Sequence, residues 1–338
     1  MTNAPSGALP KPRWSHYQHL PTSGLTPRKS TMIILWFLVI IAGLGITLMS
    51  SSRTLDAAVT LSHHLGLSPF IIGLTVVAIG TDLPEIANSI TASASGHGDI
   101  NVGDSIGSVV TQITLILGLL CFIRPFRTAR RPIAVAGAVT VASLLLGAFL
   151  MDDAYLSHRD GLMLLGAWII GTGLVHTFGH LVVEHQETLF MHGVLKSVLH
   201  LVLGLGGVAV GAVMVVQGFI DVADSLGVPE YATSFLVLSL GTSIPELFVD
   251  GGALRKGQTS LAMGAIVGSS FIDATVSLGI GPALFPVAVS ASATAGSVIA
   301  AAAVAAAIGL LLVRRVHGRS SGVVLLALYA STYSVLLV

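Results

Sequence analysis

The sequence predicts an all-α membrane protein with ten transmembrane helices in two inverted five-helix repeats. Three observations predict it. Of the 338 residues, 53% are hydrophobic and only 9% charged, whereas a soluble domain is about one-quarter charged. Apolar stretches recur from Met32 to Val338, each long enough to cross about 30 Å of hydrocarbon as a helix. A polar motif also occurs twice, at a separation close to half the chain.

Residues 1–31 contain several Pro, Ser and Thr and no apolar run. They lack the hydrophobic stretch of a secretory signal and read as a flexible, solvated tail. A first membrane repeat occupies 32–179, with spans near Thr31 to His64, Pro69 to Ser95, Val102 to Ile123, Pro132 to Met151 and Gly161 to Gly179. Residues 180–192 connect it to a second repeat at 193–338. There the spans lie near Gly193 to Phe219, Tyr231 to Ala253, Thr259 to Phe285, Ala291 to Val313 and Gly322 to Val338.

Sixteen basic and sixteen acidic residues cancel, so net charge points to neither a nucleic-acid partner nor a polybasic lipid anchor. Their placement is informative. With ten spans, Arg124, Arg127, Arg130, Arg131, Arg255, Lys256, Arg314, Arg315 and Arg319 fall on one side. Asp99, Asp152, Asp153, Asp160, Asp221, Asp224 and Glu230 fall on the other. The positive-inside rule then places both termini outside the cytoplasm of a plasma (inner) membrane. The basic clusters read as membrane anchors, with lipid as the surrounding partner. Cys121 is the sole cysteine, which excludes an intrachain disulfide or a cysteine-based metal cluster.

The duplicated motif is Gly80-Thr81-Asp82-Leu83-Pro84-Glu85 and Gly241-Thr242-Ser243-Ile244-Pro245-Glu246. Its copies are offset by 246 − 85 = 161 residues, and a Gly-x-x-x-Gly-Ser ending at Ser108 recurs at Ser269 with the same offset. Two motifs in one register indicate internal duplication. Five spans per half, an odd number, make the second copy enter the membrane from the opposite face. Proline lacks an N–H and crowds the carbonyl four residues earlier, so both helices are expected to break. The freed carbonyls need a partner that hydrocarbon does not supply. Thr81 and Glu85, like Thr242 and Glu246, share a helix face beside those carbonyls. Hydroxyl, carboxylate and carbonyl oxygens together suit a hard cation.

The helices that follow repeat the theme: Ser108 and Gln112 lie one turn apart, as do Ser269 and Asp273. The upstream glycines permit close helix approach. Ser and Thr often bond between membrane helices without touching any ligand. Glu85, Glu246 and Asp273 are harder to explain that way, because ionisable groups inside spans are costly and usually functional.

These residues resemble the cation/calcium exchanger superfamily, most closely its sodium/calcium exchanger branch with paired alpha repeats. Gly241 to Glu246 matches that family's Gly-Thr-Ser-x-Pro-Glu without change, and Gly80 to Glu85 matches except for Asp82. The resemblance implies that Glu85 and Glu246 bind calcium, with backbone oxygens of Thr81 and Thr242. It further implies sodium sites shared among Ala78, Ser239, Ser243, Ser108, Ser269 and Asp273 with the two glutamates. Gln112 stands where the family usually has Asn, and Asp104 and Ala265 where Asn usually follows the first Gly. The function implied is secondary antiport of calcium against sodium by alternating access, with proton-coupled exchange of calcium or another divalent cation as the alternative. Calcium, sodium and the alternative proton are cargo, and no cofactor is called for.

A channel also uses broken helices, but inverted duplication weighs against it. An enzyme lacks a Ser-His, Cys-His or zinc constellation within the spans. His176, His180 and Glu184 have the spacing of a metal stripe but no accompanying motif, and read as a solvated helix end. His63 and His64 read as interfacial. Asp250 either lines the cytoplasmic approach or caps its span. Asp82 shares a face with Glu85, and with Glu246 and Asp273 would place four acids around one centre. It then either retains a proton beside bound calcium or turns into a hydrated vestibule that attracts cations.

Overall fold

The computed structural model describes residues 27–179, 191–226 and 239–336. The expected tail falls largely outside the described residues. So do His180 and Glu184, most of the 180–192 connection and the start of the Tyr231 to Ala253 span.

The long helix α1 (Pro27–Leu65) opens the described chain, earlier than the expected Thr31. It is followed by α2 (Pro69–Thr81) and α3 (Leu83–Ala94), a pair bent by 50° at their junction. Helices α4 (Gly98–Ile123), α5 (Arg130–Leu150) and α6 (His158–Phe178) complete the first half. The second half holds α7 (Met191–Leu226), the short α8 (Ser239–Thr242), α9 (Ile244–Arg255), α10 (Thr259–Leu284), α11 (Ala291–Val313) and α12 (Arg319–Leu336). Among the described residues seven helices are long and apolar enough to cross a membrane, and the bent α2–α3 pair makes an eighth.

Burial separates an inner group from an outer one. The most apolar stretch of α10 is 94% buried and that of α4 78%, against 17% for α1 and 22% for α6. The polar side chains that need protein partners therefore belong on α4 and α10. The outer helices show Ile34, Leu38, Ile41, Ile169, Leu195 and Leu203, residues suited to lipid. Helix α2 reaches the backbone of α10 closely: a Cβ on Gly264 would collide with the carbonyl of Phe70, and one on Gly268 with backbone atoms of Leu74. These close approaches bring the first half's broken helix onto the second half's inner helix.

Short bridges tie the loops together. Leu156 pairs with Val287 in a two-stranded antiparallel ribbon, and Phe126 pairs with His317. Adding the 161-residue offset to Phe126 gives Val287, and adding it to Leu156 gives His317. One bridge lies before α5 and the other after it. The 21-residue helix between them spans about 30 Å at 1.5 Å per residue, so the same pairing recurs at both ends of the molecule.

Candidate cation site

Both motif helices break where the prolines require. Asp82 separates α2 from α3 with φ −84° and ψ 8°, and Ser243 separates α8 from α9 with φ −83° and ψ 6°. Pro84 and Pro245 stand in the first turn of the following helix, where a missing N–H costs least. Thr81 Oγ1 donates to the carbonyl of Ala78 at 3.1 Å, and Thr242 Oγ1 to that of Ser239 at 3.5 Å.

The halves then cross. Thr81 Oγ1 meets Ser269 Oγ at 3.3 Å, and Thr242 Oγ1 meets Ser108 Oγ at 3.5 Å. Each pair joins one half's broken helix to the other half's inner helix, and the two pairs are related by the repeat offset. Gln112 Nε2 donates to Asp273 Oδ2 at 2.9 Å, across the same offset of 161 residues. Ser270 Oγ donates to Gln112 Oε1 at 3.1 Å and fixes that amide's orientation. Gln112 and Asp273 sit on π-helical turns, Thr111–Ile116 and Asp273–Ser277, a distortion common at functional sites. Ala78, Ser239 and Ser243 are fully or almost fully buried beside them.

Among the described residues six carboxylates are buried: Asp82, Glu85, Asp104, Glu246, Asp250 and Asp273, none more than 4% exposed. Neither oxygen of Asp82, Glu85, Glu246 or Asp250 has a hydrogen-bond partner. Asp82 and Glu246 approach to side-chain hydrogen-bonding range. Two ionised carboxylates are acceptors only, so a shared proton or a cation is required to hold them together. Asp273 keeps one free oxygen beyond its bond to Gln112. Among the described residues the sole ion pair is Lys256 with Asp56, at 2.7 Å, and it is exposed. Buried charge without a partner is strongly unfavourable, so these acids are either protonated or neutralised by a bound cation. Among the described residues no three His, Cys, Asp or Glu side chains are placed to hold a metal ion by themselves. A cation here must also draw on hydroxyl, amide or backbone oxygens.

Asp104 extends the expected set of four acids. Its Oδ2 accepts from Asn88 Nδ2 at 2.7 Å and its Oδ1 is free. It lies near enough to Glu85 and Asp273 for their charges to interact. The signal was present in the sequence, since Asp104, Ser108 and Gln112 are spaced i, i+4, i+8 along one face. Asp250 corrects the capping alternative: it is 1% exposed and lies within α9, which ends at Arg255 with Lys256 at its cap.

Two broken helices crossing over a buried, acid-lined centre define a membrane protein that handles cations. The comparisons with known proteins agree. The chain belongs to the sodium/calcium exchanger protein family, which matches residues 35–176 and 196–338. It is 30% identical over 262 residues to the putative antiporter CaxA of Alkalimonas amylolytica, covering 75% of this chain and 82% of that one. It is 27% identical over 302 residues to the sodium/calcium exchanger MaX1 of Methanosarcina acetivorans, covering 77% and 86%. A structure of the sodium-calcium exchanger NCX_Mj soaked with sodium and strontium superposes with a TM-score of 0.75 at 29% identity, over 89% of this chain and 99% of that one. The protein is thus a multi-pass membrane cation exchanger, a transporter by family.

Proposed function

We propose that this protein exchanges calcium for sodium by alternating access around the centre formed by Glu85 and Glu246. The observation that carries the reading is the crossed pairing of Thr81 with Ser269 and Thr242 with Ser108. It brings both halves' motif helices to one place, and the two glutamates with them. In this reading calcium binds Glu85 and Glu246 with backbone oxygens of Thr81 and Thr242. Sodium uses Ala78, Ser239, Ser243, Ser108, Ser269 and Asp273, with Gln112 orienting Asp273. Calcium's two charges offset only part of Asp82, Glu85, Asp104, Glu246 and Asp273. That surplus favours a second reading, in which protons accompany or replace sodium.

The architecture in this reading is ten spans in two inverted repeats, with each motif pair, α2–α3 and α8–α9, counted as one span. The loop bridges at both ends and the offset-related side-chain pairs support it. Alternating access then amounts to rocking one set of helices against the other about a fixed centre. Basic residues at the Lys256 end support an orientation with that end in the cytoplasm and both termini outside.

Proteoliposome flux tests the function. An outward sodium gradient should drive saturable calcium uptake at fixed pH; uptake driven only by a proton gradient would replace sodium with protons, and non-saturable calcium leak would indicate a channel. For the orientation, a cysteine introduced at Lys256 should label only from the cytoplasm and one at Asp99 only from outside. Reversed labelling would invert the topology and leave exchange intact.

A further inference from the structure

Among the described residues, Asp250 is the buried acid that the exchange reading leaves outside the central group. It follows Glu246 by one helical turn, on the side of the centre nearer Arg255 and Lys256. It is 1% exposed, and neither carboxylate oxygen has a partner. A structural buried Asp would be hydrogen-bonded, because an unsatisfied buried polar group is costly.

Its repeat counterpart shows what a structural residue does there. Position 250 less 161 is Ser89, whose Oγ accepts from the backbone N–H of Gly281 at 3.0 Å and fastens α3 to α10. The counterpart of Gly281 in the first half is Leu120. A Cβ on Gly281 would collide with the backbone of Ser89, whereas Leu120 already carries a full side chain. Asp250, with both oxygens unpartnered, makes no corresponding bond.

We infer that Asp250 is a second cation point, separate from the central site and on its Lys256 side, which takes sodium in transit between the centre and the Lys256 end. A single carboxylate balances one charge. Sodium leaves the pair neutral in a poorly solvated place, whereas calcium would leave it positive. The inference rests on the exchange reading for its direction of traffic and on Asp250's own burial and free oxygens for the site.

Two measurements test it on the full-length protein. In purified wild type, sodium added in place of N-methylglucamine should perturb a carboxylate infrared band that Asp250→Asn removes and Asp250→Glu retains. In proteoliposomes, Asp250→Asn and Asp250→Ser should raise the half-saturating sodium concentration about tenfold on the Lys256 side, while the opposite side and equilibrium calcium binding change by less than about twofold. No sodium-sensitive band, or a band that responds to pH alone, would overturn the inference. So would equal shifts on both sides or lost calcium binding, which would assign Asp250 to the central site. If wild-type protein carried no sodium-driven calcium flux, the exchange reading would fall while the infrared titration still reported on Asp250.

Discussion

Among the described residues, the buried acids of the first half are Asp82, Glu85 and Asp104, and those of the second are Glu246, Asp250 and Asp273. Only Glu85 and Glu246 stand at matching positions. Ser243 stands opposite Asp82, Ala265 opposite Asp104, Ser89 opposite Asp250 and Gln112 opposite Asp273. The backbone, in contrast, repeats closely: φ and ψ at the two breaks differ by 1° and 2°, and π turns recur at Gln112 and Asp273. The scaffold is thus nearly two-fold while the charge is not. On the proposed exchange reading, what must serve both access states stands at the matching positions. The differing positions give the centre an uneven charge and set Asp250 on the Lys256 side alone.

The matched pair should give the largest effect. On the proposed reading, Glu246→Gln and Glu85→Gln each remove an anionic ligand that an amide oxygen does not replace at a hard-cation site. Each should abolish calcium transport at low calcium while the protein still elutes as a folded species in size-exclusion chromatography. Wild-type flux in either variant would break the equivalence of the halves.

An intermediate effect is expected at Asp82, where the halves differ beside the glutamate. Asp82→Ser gives the first half the second half's residue and removes one of five clustered charges. Calcium transport should persist, with less sensitivity to pH between mildly acidic and neutral conditions at fixed calcium and sodium gradients. The swap Asp82→Ser with Ser243→Asp should restore the sensitivity, because the charge returns to the same centre from the other half. A pH profile unchanged in Asp82→Ser would remove the coupled proton from this position.

Much of the frame was legible in the sequence, for physical reasons that differ by element. Hydropathy marks the spans because lipid forces every backbone group into a helix, and α5, α6, α10 and α11 fall close to their expected limits. Pro84 and Pro245 announce the breaks because proline's missing donor acts locally. The crossed bonds of Thr81 with Ser269 and Thr242 with Ser108 join residues 188 and 134 apart, and spacing fixes a helix face without fixing which neighbour meets it. Asp104 was visible as a departure from a family pattern and less so as a member of the Ser108–Gln112 face. Asp250 was ambiguous because a carboxylate near a helix end looks alike in sequence whether it caps or is buried. The π turns carry no sequence signature of their own.

Calcium binding to the purified protein tests the shared centre most directly. Equilibrium ⁴⁵Ca binding at low sodium should show one saturable site per chain, displaced by sodium and lost in both Glu85→Gln and Glu246→Gln. Full binding retained in either variant would contradict a single site built jointly by the two halves.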